Sequence, residues 1–263
     1  MDALSGSVRI VTLLFMLALG NAILRAQNPG DDPYNFDDIP SDQVRSFYYG
    51  LGGGYLGSLL VVSYDGVNEL GSSLSVPEIS GPLLLSGGGG FLPVFFIDPH
   101  IRLGFYGMGG SKKVTTDLTV GGEGVTRSLD FSQTLAAAQI DYAIRLSGTL
   151  TLVPGTMIGA STLDLEVTQS RRSGTARGIL FPDSGGVGFN AHLTSTRIFY
   201  YPAVNVEWAP VKVLMLRFGG GYAGTFDADW KDNNDTVVGD MPTINTNGPV
   251  LQFGLFVGLF QVN

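Results

Sequence analysis

The chain has 263 residues, of which 44% are apolar and only 14% charged, about half the charge density of an ordinary soluble domain. Its positive mean hydropathy of +0.23 excludes a disordered chain, and the absence of cysteine excludes a disulfide framework and thiolate chemistry. A net charge of -8 offers no basic stripe for phosphates, so nucleic acid is not an expected partner.

Residues 1–26 carry the pattern of a secretory signal peptide: Arg9, then the apolar run Ile10 to Ala22, then the small residue Ala26. That run is too short for a bilayer-spanning helix of about 20 residues. Residues 27–46 hold Asp31, Asp32, Asp37, Asp38 and Asp42 among Pro29, Pro33 and Pro40. This composition predicts a disordered acidic arm, since it lacks apolar groups to bury and proline withdraws backbone donors.

From Phe47 to the end, residues 47–263, apolar side chains recur at every second position, the period of a β-strand. The last segment sets Leu251, Phe253, Leu255, Val257 and Leu259 on one face and Gln252, Gly254, Phe256, Gly258 and Phe260 on the other. Eight such segments follow one another: Phe47–Ser63, Gly81–Phe96, Ile101–Thr116, Leu129–Leu146, Thr149–Thr168, His192–Trp208, Lys212–Phe226 and Gly248–Val262. Three joints are predicted to be tight, at Asp98-Pro99, Ser147-Gly148 and Ala209-Pro210. Tyr64–Ser80, Asp117–Ser128, Gln169–Ala191 and Asp227–Asn247 are predicted to be long loops. Short and long joints alternate, so an up-and-down sheet places all long loops at one end and all short turns at the other.

This organisation resembles the bacterial outer-membrane β-barrels, in the eight-stranded size class of the OmpA-type and OmpX-type proteins. The resemblance implies an all-β fold, an eight-stranded antiparallel up-and-down transmembrane β-barrel, with outer-membrane localisation, periplasmic short turns and extracellular long loops. It implies outer-membrane lipid and lipopolysaccharide as surroundings, an extracellular ligand of unspecified kind, and no cofactor. One departure from the family is the ending Gln261, Val262, Asn263 after Phe260, where an aromatic terminus is usual. Aromatics near segment ends, among them Phe95, Phe96, Phe199, Tyr200, Tyr201, Trp208 and Phe260, suit interfacial girdles.

On the face opposite the lipid stripe fall Arg102, Asp141, Arg145, Glu207 and Arg217, with Gln139, Asn205 and Gln252. Opposite charges enclosed by a closed wall pair with one another, as a gate of a narrow pore or as a static plug. The glycines of this face predict a lumen with room for water.

Other motifs lead elsewhere. Gly219, Gly221 and Gly224 match dinucleotide-binding spacing, but no helix-forming segment follows. Asp227, Asp229, Asp232, Asp235 and Asp240 offer oxygen ligands without an EF-hand spacing, and Arg171, Arg172 and Arg177 offer bidentate donors to lipid phosphates. Eight-stranded lipid A deacylases pair a His with a Ser two residues away; here His192 is followed by Thr194, and Ser195 falls on the opposite face. The reading is therefore a non-enzymatic surface protein, with a channel and a lipid hydrolase as alternatives, and a soluble exported barrel as the alternative architecture.

Overall fold

A computed structural model describes residues 50–171 and 188–260. The predicted signal peptide, the acidic arm, Arg172, Arg177 and the last three residues lie outside the described residues.

The strands are β1 (Gly50–Leu60), β2 (Leu83–Val94), β3 (Asp98–Val120), β4 (Glu123–Tyr142), β5 (Ile144–Arg145), β6 (Leu150–Arg171), β7 (Phe189–Val211), β8 (Leu214–Thr225), β9 (Trp230–Lys231), β10 (Val237–Val238) and β11 (Gly248–Phe260). Eight long strands close a ring in which every neighbour is antiparallel. Its seam joins the first long strand to the last, with Leu51 opposite Leu259 and Leu59 opposite Leu251. Closure leaves no unpaired edge at the level where the eight strands overlap, the condition for placing a sheet in hydrocarbon.

Alternation sorts the side chains as the sequence pattern requires. On β7, Ile198, Tyr200, Pro202, Val204, Val206 and Trp208 face outward, while Arg197, Phe199, Tyr201, Asn205 and Glu207 are buried inside. At about 3.4 Å per residue and a tilt near 40°, the outward run from Ile198 to Trp208 makes an apolar band about 25 Å tall, matched to a bilayer core. No helix among the described residues is long and apolar enough to cross a membrane.

The strands fall into two length groups. β1, β2, β8 and β11 have 11 to 13 residues, whereas β3, β4, β6 and β7 have 20 to 23. The extra length corrects the predicted loop Asp117–Ser128: β3 and β4 run through it in unbroken register and meet at Gly121-Gly122, with φ of +59° and +86°. Two successive positive φ values make the turn that matches strand twist in a two-residue hairpin, and glycine adopts them without strain. The loop prediction failed because the contrast inverts there: Thr115, Asp117 and Thr119 face outward with Val114, Leu118 and Val120 on the opposite face, so the period persists while the apolar stripe changes side.

The loop predicted at Tyr64–Ser80 contains a helix, α1 (Asp65–Ser73). Two of the tight joints are displaced. Pro99 is the second residue of β3, and Pro210 lies within β7, where the register shifts between Trp208 and Val211, so the chain reverses at Lys212-Val213 instead. Proline is tolerated at a strand start and beside a bulge.

The lumen is not the glycine-lined space the sequence suggested. A continuous apolar cluster fills it, from Phe260 and Phe91 near the short turns through Leu56, Met157 and Leu163 to Val67, Ile244 and Trp230 at the loop end. Inward glycines mark places where neighbouring strands and ring side chains approach closely; at Gly219 the Asn205 side chain occupies the space a Cβ would need.

Helix α1 closes the loop end. Val67 is buried, and the Asn68 amide grips Ile79 at both ends, accepting from its N–H at 2.8 Å and donating to its carbonyl at 3.0 Å. Tyr64 meets Phe131 edge to face at 5.8 Å, and burial raises its hydroxyl pKa to about 12. Gly66 abuts the Thr243 carbonyl of the last loop, so the first and last long loops pack as one cap.

Candidate functional site

Near the short-turn end, four charged side chains meet across the lumen. Arg102 on β3 is the cross-strand partner of Asp141 on β4, and Glu207 on β7 is the partner of Arg217 on β8. Inward parity points all four at one another, and each is at most 1% exposed in its side chain. Arg102 donates from Nε to Asp141 Oδ1 at 2.6 Å, and from Nη1 and Nη2 to Glu207 Oε2 and Oε1 at 2.8 and 2.9 Å. Arg217 donates from Nε and Nη2 to Glu207 Oε1 at 2.9 and 2.6 Å, and from Nη1 to the Tyr106 hydroxyl at 3.1 Å. Gln139 donates to the second oxygen of Asp141 at 2.5 Å.

Two guanidiniums and two carboxylates balance in charge, and bidentate geometry fixes their planes. Glu207 is the centre, because it alone accepts from both arginines and so ties the β3 wall to the β7–β8 wall. Aromatic faces close the remaining directions: Phe91 lies 4.3 Å from Arg102 Cζ and 5.0 Å from Arg217 Cζ, and Phe256 lies 4.8 Å from Arg217 Cζ. Ring faces are negative, which suits a desolvated cation. A buried ion pair holds only when its other lone pairs and protons are also satisfied, and this layer meets that condition at both arginines. It can brace the barrel and block the lumen; it contains no nucleophile or metal-binding set.

The fifth predicted member, Arg145, is not in the layer. The strand breaks at Ala143, and Arg145 on β5 sits at the short-turn rim, where its Nε bonds the Ser147 carbonyl at 3.1 Å. Parity alone placed it inside; it did not register that the strand was ending. Asn205 and Gln252 are inward and buried. Tyr106, Phe91 and Phe256 complete the layer and went unnamed as site residues, although their inward parity was readable.

The remaining candidates disperse. His192 is on the outer wall, bonded through Nε2 to Asp164 at 3.2 Å and through Nδ1 to Asn233 at 2.9 Å, while Ser195 points inward and donates to the Ala228 carbonyl. The His–Ser pair of a hydrolase is therefore not assembled. His100 pairs with Asp98 at 2.7 Å at the short-turn end. Arg171 is paired with Glu123 at 2.8 Å. Asp232 accepts from the Asn234 and Thr236 amides at 2.8 and 2.9 Å, closing the small β9–β10 hairpin, and these bonds hold its carboxyl below the ordinary range. Among the described residues, no group of three or more Asp, Glu or His side chains is placed to hold a metal ion. Of the proposed girdle, Phe95, Phe96 and Trp208 are exposed, but Phe199, Tyr201 and Phe260 are buried inside. Consecutive strand residues cannot share a face.

Fold and site together define a closed antiparallel β-barrel with an internal ion-pair layer. No protein-family profile and no curated protein matches the sequence. Among solved structures, the chain is similar to Ail, the attachment invasion locus protein of Yersinia pestis, at 8% identity and a TM-score of 0.34, covering 81% of this chain and 97% of Ail. It is similar to CarO2 of Acinetobacter baumannii at 11% identity and a TM-score of 0.34, covering 80% and 99%. It is also similar to the outer membrane protease OmpT of Escherichia coli at 10% identity and a TM-score of 0.30, covering 82% and 94%.

Proposed function

We propose that this chain is exported by its amino-terminal signal peptide, spans the bacterial outer membrane among lipid and lipopolysaccharide, and acts without catalysis as a sealed barrel that presents its loop end to the surroundings. The observation that carries this reading is the division of labour along the strands. At belt level the lumen is closed by the Arg102–Asp141–Glu207–Arg217 layer and the apolar core above it. Beyond the belt, β3, β4, β6 and β7 continue as a polar-faced sheet. Strand pairing of β2 with β3 ends at Gly109, and beyond it the β3 backbone ladder is with β4, while the Lys112 side chain reaches the Ser80 carbonyl. A rigid platform that carries its polar groups outward suits recognition of an extracellular ligand; a packed lumen does not suit conduction.

The test is planar-bilayer recording of the refolded protein. A sealed barrel gives no unitary conductance, and Glu207→Gln leaves the baseline flat. Steps in the wild-type protein that change in amplitude in Glu207→Gln would establish the gated-pore reading instead.

A further inference from the structure

The lumen layer shows how this fold completes a buried guanidinium: fully buried carboxylate oxygens at 2.6 to 2.9 Å, from two carboxylates at Arg102 and from Glu207 beside the Tyr106 hydroxyl at Arg217, with aromatic faces around. A third arginine is buried to nearly the same depth and is not completed in that way. Arg197 on β7, 3% exposed in its side chain, has one carboxylate within reach, Asp227 at 3.2 Å, and that side chain is 78% exposed. Its Nε donates to Ser195 Oγ at 3.2 Å and its Nη1 to the Ile244 carbonyl at 2.8 Å; Nη2 has no acceptor among the described residues. A guanidinium carries five N–H donors in a planar fork, so one arm of the fork is open.

That arm belongs to a cavity. Arg197 lines a pocket of ≈ 280 Å³ at the loop end, walled by the segments 227–230 and 240–244 of the last long loop. The Trp230 ring stands 5.7 Å from Arg197 Cζ. Asp229 and Asp240 are exposed on the same pocket, with Met241 and Pro242 adding apolar wall. The floor thus offers a largely buried cation with one nitrogen open to the cavity, and the rim offers carboxylates. A simple anion would be drawn to the floor and repelled by the rim; a simple cation would rest on the rim and leave the floor incomplete. One molecule carrying both charges satisfies both, and the volume lies at the small end of ligand pockets.

We propose that this cavity binds a zwitterion of amino-acid to dipeptide size, its carboxylate on the open arm of Arg197 and its ammonium group toward Asp229 and Asp240. The ligand's carboxylate accepts from the open Nη2, whose two N–H bonds are the donors the other partners leave, and an apolar side chain between the termini faces Met241 and Pro242. The site does not depend on whether the lumen conducts or which macromolecule meets the outer sheet.

The chain has two tryptophans, so in detergent-solubilised full-length protein carrying Trp208→Phe, Trp230 is the reporter. Titration with glycyl-leucine is expected to give a saturable change in its emission. N-acetylglycyl-leucine and glycyl-leucinamide, each lacking one charge, should bind at least tenfold more weakly. Arg197→Gln should abolish the response, and the surface double variant Asp229→Asn/Asp240→Asn should weaken it about tenfold; the latter decides the matter if Arg197→Gln does not fold. No saturable response to glycyl-leucine overturns the proposal. So does equal binding of the acetylated peptide, which would mark a plain carboxylate site, or of the amide, which would mark a rim for cations. None of these outcomes alters the conductance test.

Discussion

The belt and the outer sheet of this barrel place polar and apolar groups in opposite senses, although the same strands build both. Along β6, the outward residues Leu152, Pro154, Ile158 and Ala160 give way to Thr162, Asp164, Glu166 and Thr168, while the inward face carries Thr151, Val153, Gly155 and Met157 below and Leu163, Leu165 and Val167 above. The lower part has oil outside and one layer of paired ions set among apolar groups within; the upper part has ions outside and oil within. What changes between them is the solvent of the outer wall, since a strand turned toward water must supply polar groups and hide its apolar ones. The inner charges are tolerated below because they form one closed, neutral set, not because the lumen is wet.

Breaking that set should produce the largest effect. Glu207→Ala leaves Arg102 and Arg217 in the lumen without their shared carboxylate, and loss of one partner of a buried pair costs about 3–5 kcal/mol. Urea unfolding of the barrel in lipid vesicles should show a loss of that size; a change below about 1 kcal/mol would mean that water already reaches the layer. The outer wall tests the other half of the contrast. Val204→Arg, at the middle of the apolar band, should cost about 2–4 kcal/mol in the same assay. Thr119→Arg on the outer sheet should stay within about 0.5 kcal/mol. Equal costs would place both residues in the same medium.

A smaller effect probes the cap. Asn68→Ala strands the buried amide and carbonyl of Ile79, for about 1–3 kcal/mol, and hydrogen exchange at Ile79 should rise before exchange in β11 does. The smallest effect is a pH dependence confined to the β9–β10 hairpin. The Asp232 carboxyl is held below its ordinary value by the two amides it accepts. Its contribution to hairpin order is therefore present above the unfolded carboxylate pKa and lost as pH falls through the lower, folded value. Amide exchange at Asn234 and Thr236, corrected for intrinsic rates, should gain protection between pH 3 and pH 6; protection already complete at pH 3 would show that the carboxylate is not the tie.

The sequence-level reading reached most of the belt because alternation there contrasts Leu, Val and Phe with Gly, Gln and Arg. Parity alone placed Arg102, Asp141, Glu207 and Arg217 on one inward face, without saying which would pair with which. The reading lost the β3–β4 hairpin where threonines replaced the apolar stripe, and it missed α1 because six of that helix's nine residues are Asp, Gly, Asn or Ser, which have weak helix propensity. Arg145 was misplaced because parity carries no information on where a strand ends. Arg197 passed unnoticed for a different reason: its parity was legible, but the pocket above it is made by residues thirty to forty-seven positions later that only the folded loop brings near. The apolar filling of the lumen was hidden behind inward glycines, which leave space that neighbouring large side chains then take.

The pairing of Leu51 with Leu259 has a consequence for biogenesis. Each other adjacent pair of long strands is joined by a local connection, but this final zip unites the two extremities of the barrel and waits until synthesis of the whole wall is finished. Until then the intermediate exposes two unsatisfied borders, a hazard in lipid and an invitation to aggregation in water. Contacts so distant along the chain form slowly, so assembly, rather than the finished cylinder, is where this molecule most needs a helper.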